Sequence, residues 1–497
     1  VPSSPAPVRT ARRSRRVPVL TVGLVALASA AVAAPSASAA QSFVSRPDLK
    51  PTKISVTTKA QDTAPGLIFT APKNGGVQRG SMIFDDAGSL VWFRAAAKGK
   101  SVIDTRRAIL DGKPVITFWE GNGLRGYGYG ETVILDTAYN EIARVSPDGK
   151  KQMDFHEFTV TPRNTALLIS YKPVRGSTAG MKGGSRNDLI MRNLIQEVDI
   201  KTNKVLWEWD ATKAVSPKES YLPLPARPEV AYDFIHANSV TEDTDGNILV
   251  SSRHTHTIYK VNKKTKKITW KLGGKKSTFK MGKGARFAWQ HDAQRREDGT
   301  ISLFDNASAD LADLKKRGIE SRGLKLKLDE KKKTASVARE YENPKPQLNN
   351  TQGNMQGLTN GNEFVGWGGV GNNVSEFSAG GKQLFEAKYE KRLTESYRAY
   401  RYEWSGQPTS PPKAVARKGG AGTQVWVSWN GATTVATWRV LGGASAETLQ
   451  PRQDIGRQGF ETTGSYAAAD QVVAVQALDA SGAVLSQSKP VPVAATR

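Results

Sequence analysis

Cysteine is absent from the 497 residues, and that absence excludes a good deal. Disulfides cannot hold the fold, a lipidated cysteine at a signal junction cannot exist, and thiolate metal sites are ruled out. Stability must come from a buried core, which a chain of this length can supply. Helical periodicity is scarce. No glycine-rich phosphate loop of the Walker type and no dinucleotide fingerprint occurs in a strand-to-helix setting, so neither a nucleotide nor a nicotinamide is expected, nor any other cofactor. Histidine is rare, at five residues, which makes its placement informative.

Charge of one sign is abundant instead: the formal net charge is +25. Lys201 and Lys204, and the runs 263–267 and 331–333, fall in hairpin turns. Basic residues interleaved with stacking aromatics along one face, the mark of nucleic-acid binding, are not visible. These lysines are expected to be solvated tips, with attraction to an anionic cell envelope or an anionic substrate as the functional alternative. Residues 1–39 carry Arg12, Arg13, Arg15 and Arg16, an apolar run over 17–34, and then Ala37-Ser38-Ala39. That is the order of a secretory signal peptide, and it predicts a secreted protein with no transmembrane span once the signal is removed. Ser14-Arg15-Arg16 hints at twin-arginine export, although Pro18 stands where that signal has an aromatic. Retention of the run as an anchor is the other option, since its length is near the spanning minimum.

Beyond the leader a unit recurs: apolar strand, polar residue, short turn, second apolar strand. It occupies 81–93, 132–145, 195–209, 257–272, 324–341 and 374–387, with pre-turn residues Asp85, Asp136, Asp199, Asn262, Asp329 and Ser378. Most of these hairpins follow another strand opened by a turn signal, such as Asp111-Gly112, Asp245-Gly246, Asp298-Gly299 or Asn360-Gly361. The content of Val, Ile, Tyr and Trp favours strands. An all-β fold follows, a six-bladed β-propeller over 40–404; a pair of β-sandwiches would not explain six similar units in a row. Residues 405–412 read as a Pro/Ser/Gly linker. Residues 413–497 read as a small β-sandwich of immunoglobulin or fibronectin type, with strands near 424–429, 434–441 and 471–478.

Three histidines hold one place in the repeat. His156, His236 and His291 each precede a turn signal (Pro162-Arg163-Asn164, Asp245-Gly246-Asn247, Asp298-Gly299) and then an apolar strand. On a propeller, equivalent positions share one radius, so these three are expected to meet near one end of the central channel. His254 and His256, two residues apart, lie on one strand face; with no third ligand at a zinc-like spacing, packing beside Arg253 is the expectation, and no metal. Trp92, Trp207, Trp209 and Trp270 are expected in blade cores. Trp289, Trp367, Tyr232 and Tyr171 are candidates to stack on a ligand ring, and Asp305-Asn306 is expected to be a turn.

The segments Asp154-Phe155-His156-Glu157, Asp233-Phe234-Ile235-His236-Ala237-Asn238, Arg253-His254, Trp289-Gln290-His291-Asp292, Asp305-Asn306-Ala307, Gly366-Trp367-Gly368-Gly369 and Ser396-Tyr397-Arg398-Ala399-Tyr400-Arg401 resemble the bacterial arylsulfate sulfotransferases, especially their actinobacterial branch, over about residues 60–405. The resemblance implies a six-bladed propeller that moves a sulfuryl group from a phenolic sulfate donor to a phenolic acceptor through a sulfohistidine, without a nucleotide sulfate donor. It implies His291 as nucleophile, Arg253 and Asn238 as groups binding the sulfuryl oxygens, and His236 and His156 as acid/base or sulfuryl-binding groups, those two roles undivided. The best-known enterobacterial members carry a disulfide that this chain cannot form, so their loop structure is not transferable.

Those residue types suit the reaction. A neutral imidazole attacks sulfur and leaves again readily, an arginine fork meets spread oxyanion charge, and a second histidine protonates the departing phenolate. Two other classes stay open. One is a non-catalytic secreted propeller binding an anionic envelope polymer, and the other is a different propeller enzyme, such as a polysaccharide lyase or a quinone-dependent dehydrogenase.

Overall fold

The computed structural model describes residues 40–495 except 125, 370, 372 and 421, so the signal-peptide expectation lies outside the described residues. Six sheets, one per blade, follow one another along the chain, antiparallel throughout except where Lys280–Met281 runs parallel to the outer strand of the fifth. From the axis outward, the second blade is Ser101–Leu110, Lys113–Gly123, Gly128–Leu135 and Glu141–Val145; the third is Phe158–Val160, Thr165–Gly176, Asp188–Asp199 and Val205–Asp210. The fourth is Ala237–Glu242, Ile248–Ser252, Thr257–Val261 and Ile268–Gly273. The fifth is His291–Arg295, Ile301–Asp305, Arg322–Asp329 and Thr334–Tyr341, and the sixth is Asn354–Gly357, Glu363–Gly366, Val374–Phe377 and Gln383–Tyr389. The six sequence hairpins are the outer strand pairs of these sheets.

The ring is closed from both ends of the chain. The first blade takes Leu67–Thr70, Gly80–Phe84 and Leu90–Ala95 from the beginning, but its innermost strand is Ala399–Tyr402, with Leu67 opposite Tyr402. Ile54–Thr58 in turn pairs with Gln383–Tyr389 at the outer edge of the sixth blade. Each blade face buries its side chains against the next blade, which gives six interblade cores. Ile169 and Val240 share one of them, Leu249 and Leu303 another, and Phe84 and Phe385 a third. Strands covered on both faces need apolar residues at every position, and 166–169 is accordingly Ala-Leu-Leu-Ile with no exposed surface. Trp92, Trp209 and Trp270 are buried in these cores, as is Trp367, whose indole N–H donates to Ser375.

Eight further strands from Lys413–Gly419 to Val491–Ala494 form one connected sheet around a shared core that includes Val425, Trp438, Val440 and Val475. Residues 405–412 are not a free tether. Gly406 is buried, Gln407 N–H donates to Thr137 O at 3.1 Å, and the Tyr139 hydroxyl donates to Gly431 O at 2.7 Å while its ring stacks on Trp92. A side chain on Gly431 would run into the Tyr139 ring at 2.4 Å, so only glycine permits this approach.

Strand direction separates the two ends of the propeller. Innermost strands begin at the histidine end, so the turns at 263–267 and 331–333 lie at the opposite end, one strand length away. Five to eight residues span roughly 17–25 Å, two or more screening lengths at physiological salt. The lysine clusters are therefore poorly placed to steer an anion to the histidines. Among the described residues, no helix is long and apolar enough to cross a membrane.

Candidate active site

His156 and His236 stand just ahead of the innermost strands of the third and fourth blades, and His291 opens that of the fifth. The structure brings all three together. The rings of His156 and His236 are 4.7 Å apart, and Tyr397, on the approach to the closing strand, lies 5.6 Å from His156 and 6.2 Å from His291. All three histidines are buried. His236 has a left-handed backbone, φ 52°, and so does Asp292, φ 54°, next to His291. Register shifts interrupt pairing between Ala237 and Ser239 and between His291 and Gln294. Bulges of this kind re-aim side chains, and conformations costly to a non-glycine residue persist only where the surroundings hold them.

The orienting partners differ in a chemically useful way. His156 Nδ1 pairs with Asp154, whose other oxygen accepts from Gly128 N–H at 2.7 Å, and His236 Nδ1 pairs with Asp233. His291 Nδ1 instead meets Asn306 Oδ1 at 2.7 Å. The Asn306 amide cannot be reversed, because its Nδ2 already donates to the carbonyls of Asn349 and Gln352 at 2.8 and 3.0 Å. Nδ1 of His291 must then carry the proton, leaving the Nε2 lone pair for chemistry. Gln352 N–H donates to that Nε2 at 3.2 Å, a long contact that an attack would have to release.

Arg253 turns into the same space from the fourth blade. Its Nη1 is 2.9 Å from His254 Nε2, its Nη2 donates to Asn350 O at 2.8 Å, and its guanidinium lies over Trp289 at 4.8 Å. It makes no ion pair among the described residues, and burial pulls its pKa down to about 10, against Asp233 and, less strongly, Tyr171 and Tyr397. A buried cation without a counterion is unusual, since buried charges are ordinarily paired. Arg253 Nε, Asn238 Oδ1, Tyr397 Oη and Gln352 Oε1 are also buried without a hydrogen-bond partner among the described residues, a concentration that asks for a ligand.

Other placements differ from the sequence reading. Asn238 is fully buried and its Nδ2 donates to Gln290 O at 2.7 Å, so it ties the fourth blade to the residue before His291. Tyr171 packs against His156 and His236, but its hydroxyl is committed to Ala237 O. Tyr232 is a core residue bonded to Leu222 O. Of Asp305-Asn306, the aspartate pairs with Arg322 and caps Ala288 and Ala307 N–H, while Asn306 belongs to the site. The orienting carboxylates escape the sequence reading, although an aspartate two or three residues before a histidine is a local signal.

Asp233, His236 and His254 offer ligand atoms within 4.8 Å of one another, the one such group among the described residues. The guanidinium against His254 opposes a cation there, and both Nδ1 atoms are already engaged, by Asp233 Oδ2 and by Asp233 O. A cleft of about 990 Å³ opens at this end, lined by Tyr221, His256, Phe287 and Arg322. His256 stacks on Tyr221 at 3.8 Å and meets Trp289 edge-on, which connects the cleft to the Arg253 face.

Burial lowers the pKa of His236, His254 and His291, against Asp233 in the first two and Asn306 in the third, and pushes His256 to about 3. Below the unfolded-state value of about 6.5 the unfolded chain therefore binds more protons than the folded one, so stability falls as pH drops from there. The urea midpoint should be level from pH 8 to 7 and decline steadily from 6.5 to 5, less steeply in His291→Asn. A level midpoint to pH 5 would mean that these imidazoles ionise without cost in the fold.

Residues 106–390 match the family described as Arylsulfotransferase (ASST). No curated protein matches the chain. Similar solved structures include a protein of unknown function from Bacteroides caccae, 13% identical with a TM-score of 0.42, covering 68% of this chain and 100% of its own. Another is a catalytically inactive virginiamycin B lyase from Staphylococcus aureus with quinupristin, 10% identical with a TM-score of 0.33, covering 76% and 96%.

Proposed function

The chain belongs to the arylsulfotransferase family, and from that premise we propose that it moves a sulfuryl group from a phenolic sulfate ester to a phenol through a covalent intermediate on His291. Nε2 of His291 attacks sulfur, the sulfur–oxygen bond to the aryl group breaks, and the phenolate takes the Nε2 proton of His156 or His236, which enters the step as an imidazolium paired with its aspartate. The acceptor phenol then gives its proton to that histidine, its oxygen attacks sulfur, and the sulfur–nitrogen bond breaks to free His291. The cycle balances without a cofactor or a nucleotide donor.

One observation carries this reading: a buried guanidinium with no ion pair among the described residues, facing a cluster of imidazoles, is a receptor for an oxyanion. Arg253 would hold two sulfuryl oxygens, and the Gln352 N–H released from Nε2 would meet a third. Asn306 suits the nucleophile because an amide fixes the tautomer without adding negative charge where an anion must approach. Asp154 and Asp233 suit the acid/base histidines because a carboxylate stabilises the imidazolium that forms. For Asn238 the reading becomes positional, since its amide holds Gln290. We further propose export through the pattern in residues 1–39.

The test is an assay with para-nitrophenyl sulfate. Without acceptor the protein should release at most about one equivalent of nitrophenol per chain, and added phenol should restore steady turnover with parallel double-reciprocal lines. Intersecting lines, or no reaction with any aryl sulfate, would remove the covalent mechanism.

A further inference from the structure

Arg398 lies on the axis just ahead of the closing strand, with its side chain fully buried. Its contacts reach across the ring. Nη1 donates to both oxygens of Glu157 in the third blade, at 3.2 and 3.1 Å, and Nη2 donates to Asn238 O in the fourth at 2.8 Å. Asp292 of the fifth blade approaches to 3.7 Å and Asp104 of the second to 3.8 Å. The other carboxylate oxygen of Asp292 accepts Met355 N–H from the sixth blade at 3.1 Å. Arg398 itself belongs to the closing segment of the first, so all six blades converge here.

Three of those neighbours adjoin a site histidine: Glu157 follows His156, Asn238 stands two residues past His236, and Asp292 follows His291. Asn238, Asp292 and Asp104 all sit where strand register shifts, and both aspartates have left-handed backbones, φ 54° and 62°. Bulges in this conformation need an external hold. We propose that Arg398 is the positioning residue of the site, a single guanidinium that fixes the segments bearing His156, His236 and His291 so that their Nε2 atoms converge. This rests on the proposed role of His291 and extends it to a residue outside the groups assigned to the substrate.

Arginine suits the task because its rigid planar fork can satisfy a carboxylate on one blade and a carbonyl on another at once, whereas an ammonium on a flexible stem cannot hold both directions. Arg106 joins the same layer, paired with Asp104 and Glu157. Burial works against the Glu157 carboxylate, but Arg398 and Arg106 together keep its pKa below the usual value. The layer also separates the histidines from an axial cavity of about 690 Å³ at the far end, lined by Arg107, Gln294, Gln356 and Tyr402.

Arg401 supplies the control. It lies three residues on, within the closing strand, is equally buried, and pairs with Asp86 and Glu376 at 2.6 and 2.7 Å, away from the histidines. In Arg398→Lys, kcat with para-nitrophenyl sulfate and phenol should fall about tenfold to a hundredfold, the cost of slight misplacement, with KM little changed. Ring ¹⁵N signals of His156, His236 and His291 should shift. Arg401→Lys should lose comparable thermal stability yet keep its kcat and its histidine spectrum. Equal losses of kcat in the two variants, an unmoved histidine spectrum in Arg398→Lys, or a rise in KM in place of the fall in kcat would overturn the proposal. If Arg398→Lys does not fold, Glu157→Gln, which keeps an acceptor for Nη1 but removes the charge, takes its place. If the wild type turns over no aryl sulfate, the sulfotransferase reading fails while the ring spectra still decide the role of Arg398.

Discussion

His291→Asn should lose the burst and the steady turnover together, by at least on the order of a thousandfold, with the fold unchanged. The amide can still accept from Gln352 and lie against Asn306, so polar contacts persist in kind, but it offers no comparable nucleophile. The loss must appear equally with good and poor leaving groups, because the first bond to sulfur cannot form. Near-ultraviolet circular dichroism checks the fold, and quench-flow with para-nitrophenyl sulfate checks the burst. A variant that retained turnover would transfer the nucleophilic role elsewhere or end the covalent scheme. A residual burst that phenol no longer discharges would place His291 in the second half-reaction only.

Arg253→Met should separate stability from activity in an unusual direction. Removing a buried cation that has no ion pair among the described residues relieves a desolvation cost that Asp233 offsets only in part, so the unfolding midpoint of the free protein should hold or rise. Turnover should nevertheless fall by about 10²–10³, since the group aimed at developing oxyanion charge is gone, and aryl sulfate should no longer raise the midpoint. Arg253→Lys should fall between, binding the anion as a point charge without the fork; each tenfold loss corresponds to about 1.4 kcal/mol of transition-state stabilisation. A marked drop in the midpoint of Arg253→Met would show instead that the bonds to Asn350 and His254 are structural, and wild-type turnover in it would remove the anion site.

Much of this was legible in the chain because the signals were local. Each outer hairpin carries its own turn residues and its own pair of apolar runs, so the blades could be counted one at a time, and the histidines could be aligned by their distance from the next turn. The closing strand offered nothing of the kind. Ala399–Tyr402 is four residues long, includes a buried arginine, and finds its partner at Leu67–Thr70 across the whole ring. Composition at 405–412 suggested a tether because serine and proline are common there, whereas the hydrogen bonds that pin it come from Thr137 and Thr433, outside the segment. Asn306 orients His291 through a contact between blade strands that no spacing rule encodes. The bulges at Asn238 and Asp292 depend on two residues facing one across a ladder, and single-strand patterns are blind to that.

The innermost strand of the first blade comes from the far end of the propeller segment, and it brings Tyr397 and Arg398 with it. An unsealed ring can have five complete blades, every histidine in place along the chain, and still lack the group that links the bulged segments. Competence would then be acquired late, at the moment the circle shuts, and lost early whenever it opens. Turnover would serve as a reporter of that seam: mild denaturant that frays the Leu67–Thr70 and Ala399–Tyr402 pair should silence the enzyme before far-ultraviolet circular dichroism registers any loss of strand.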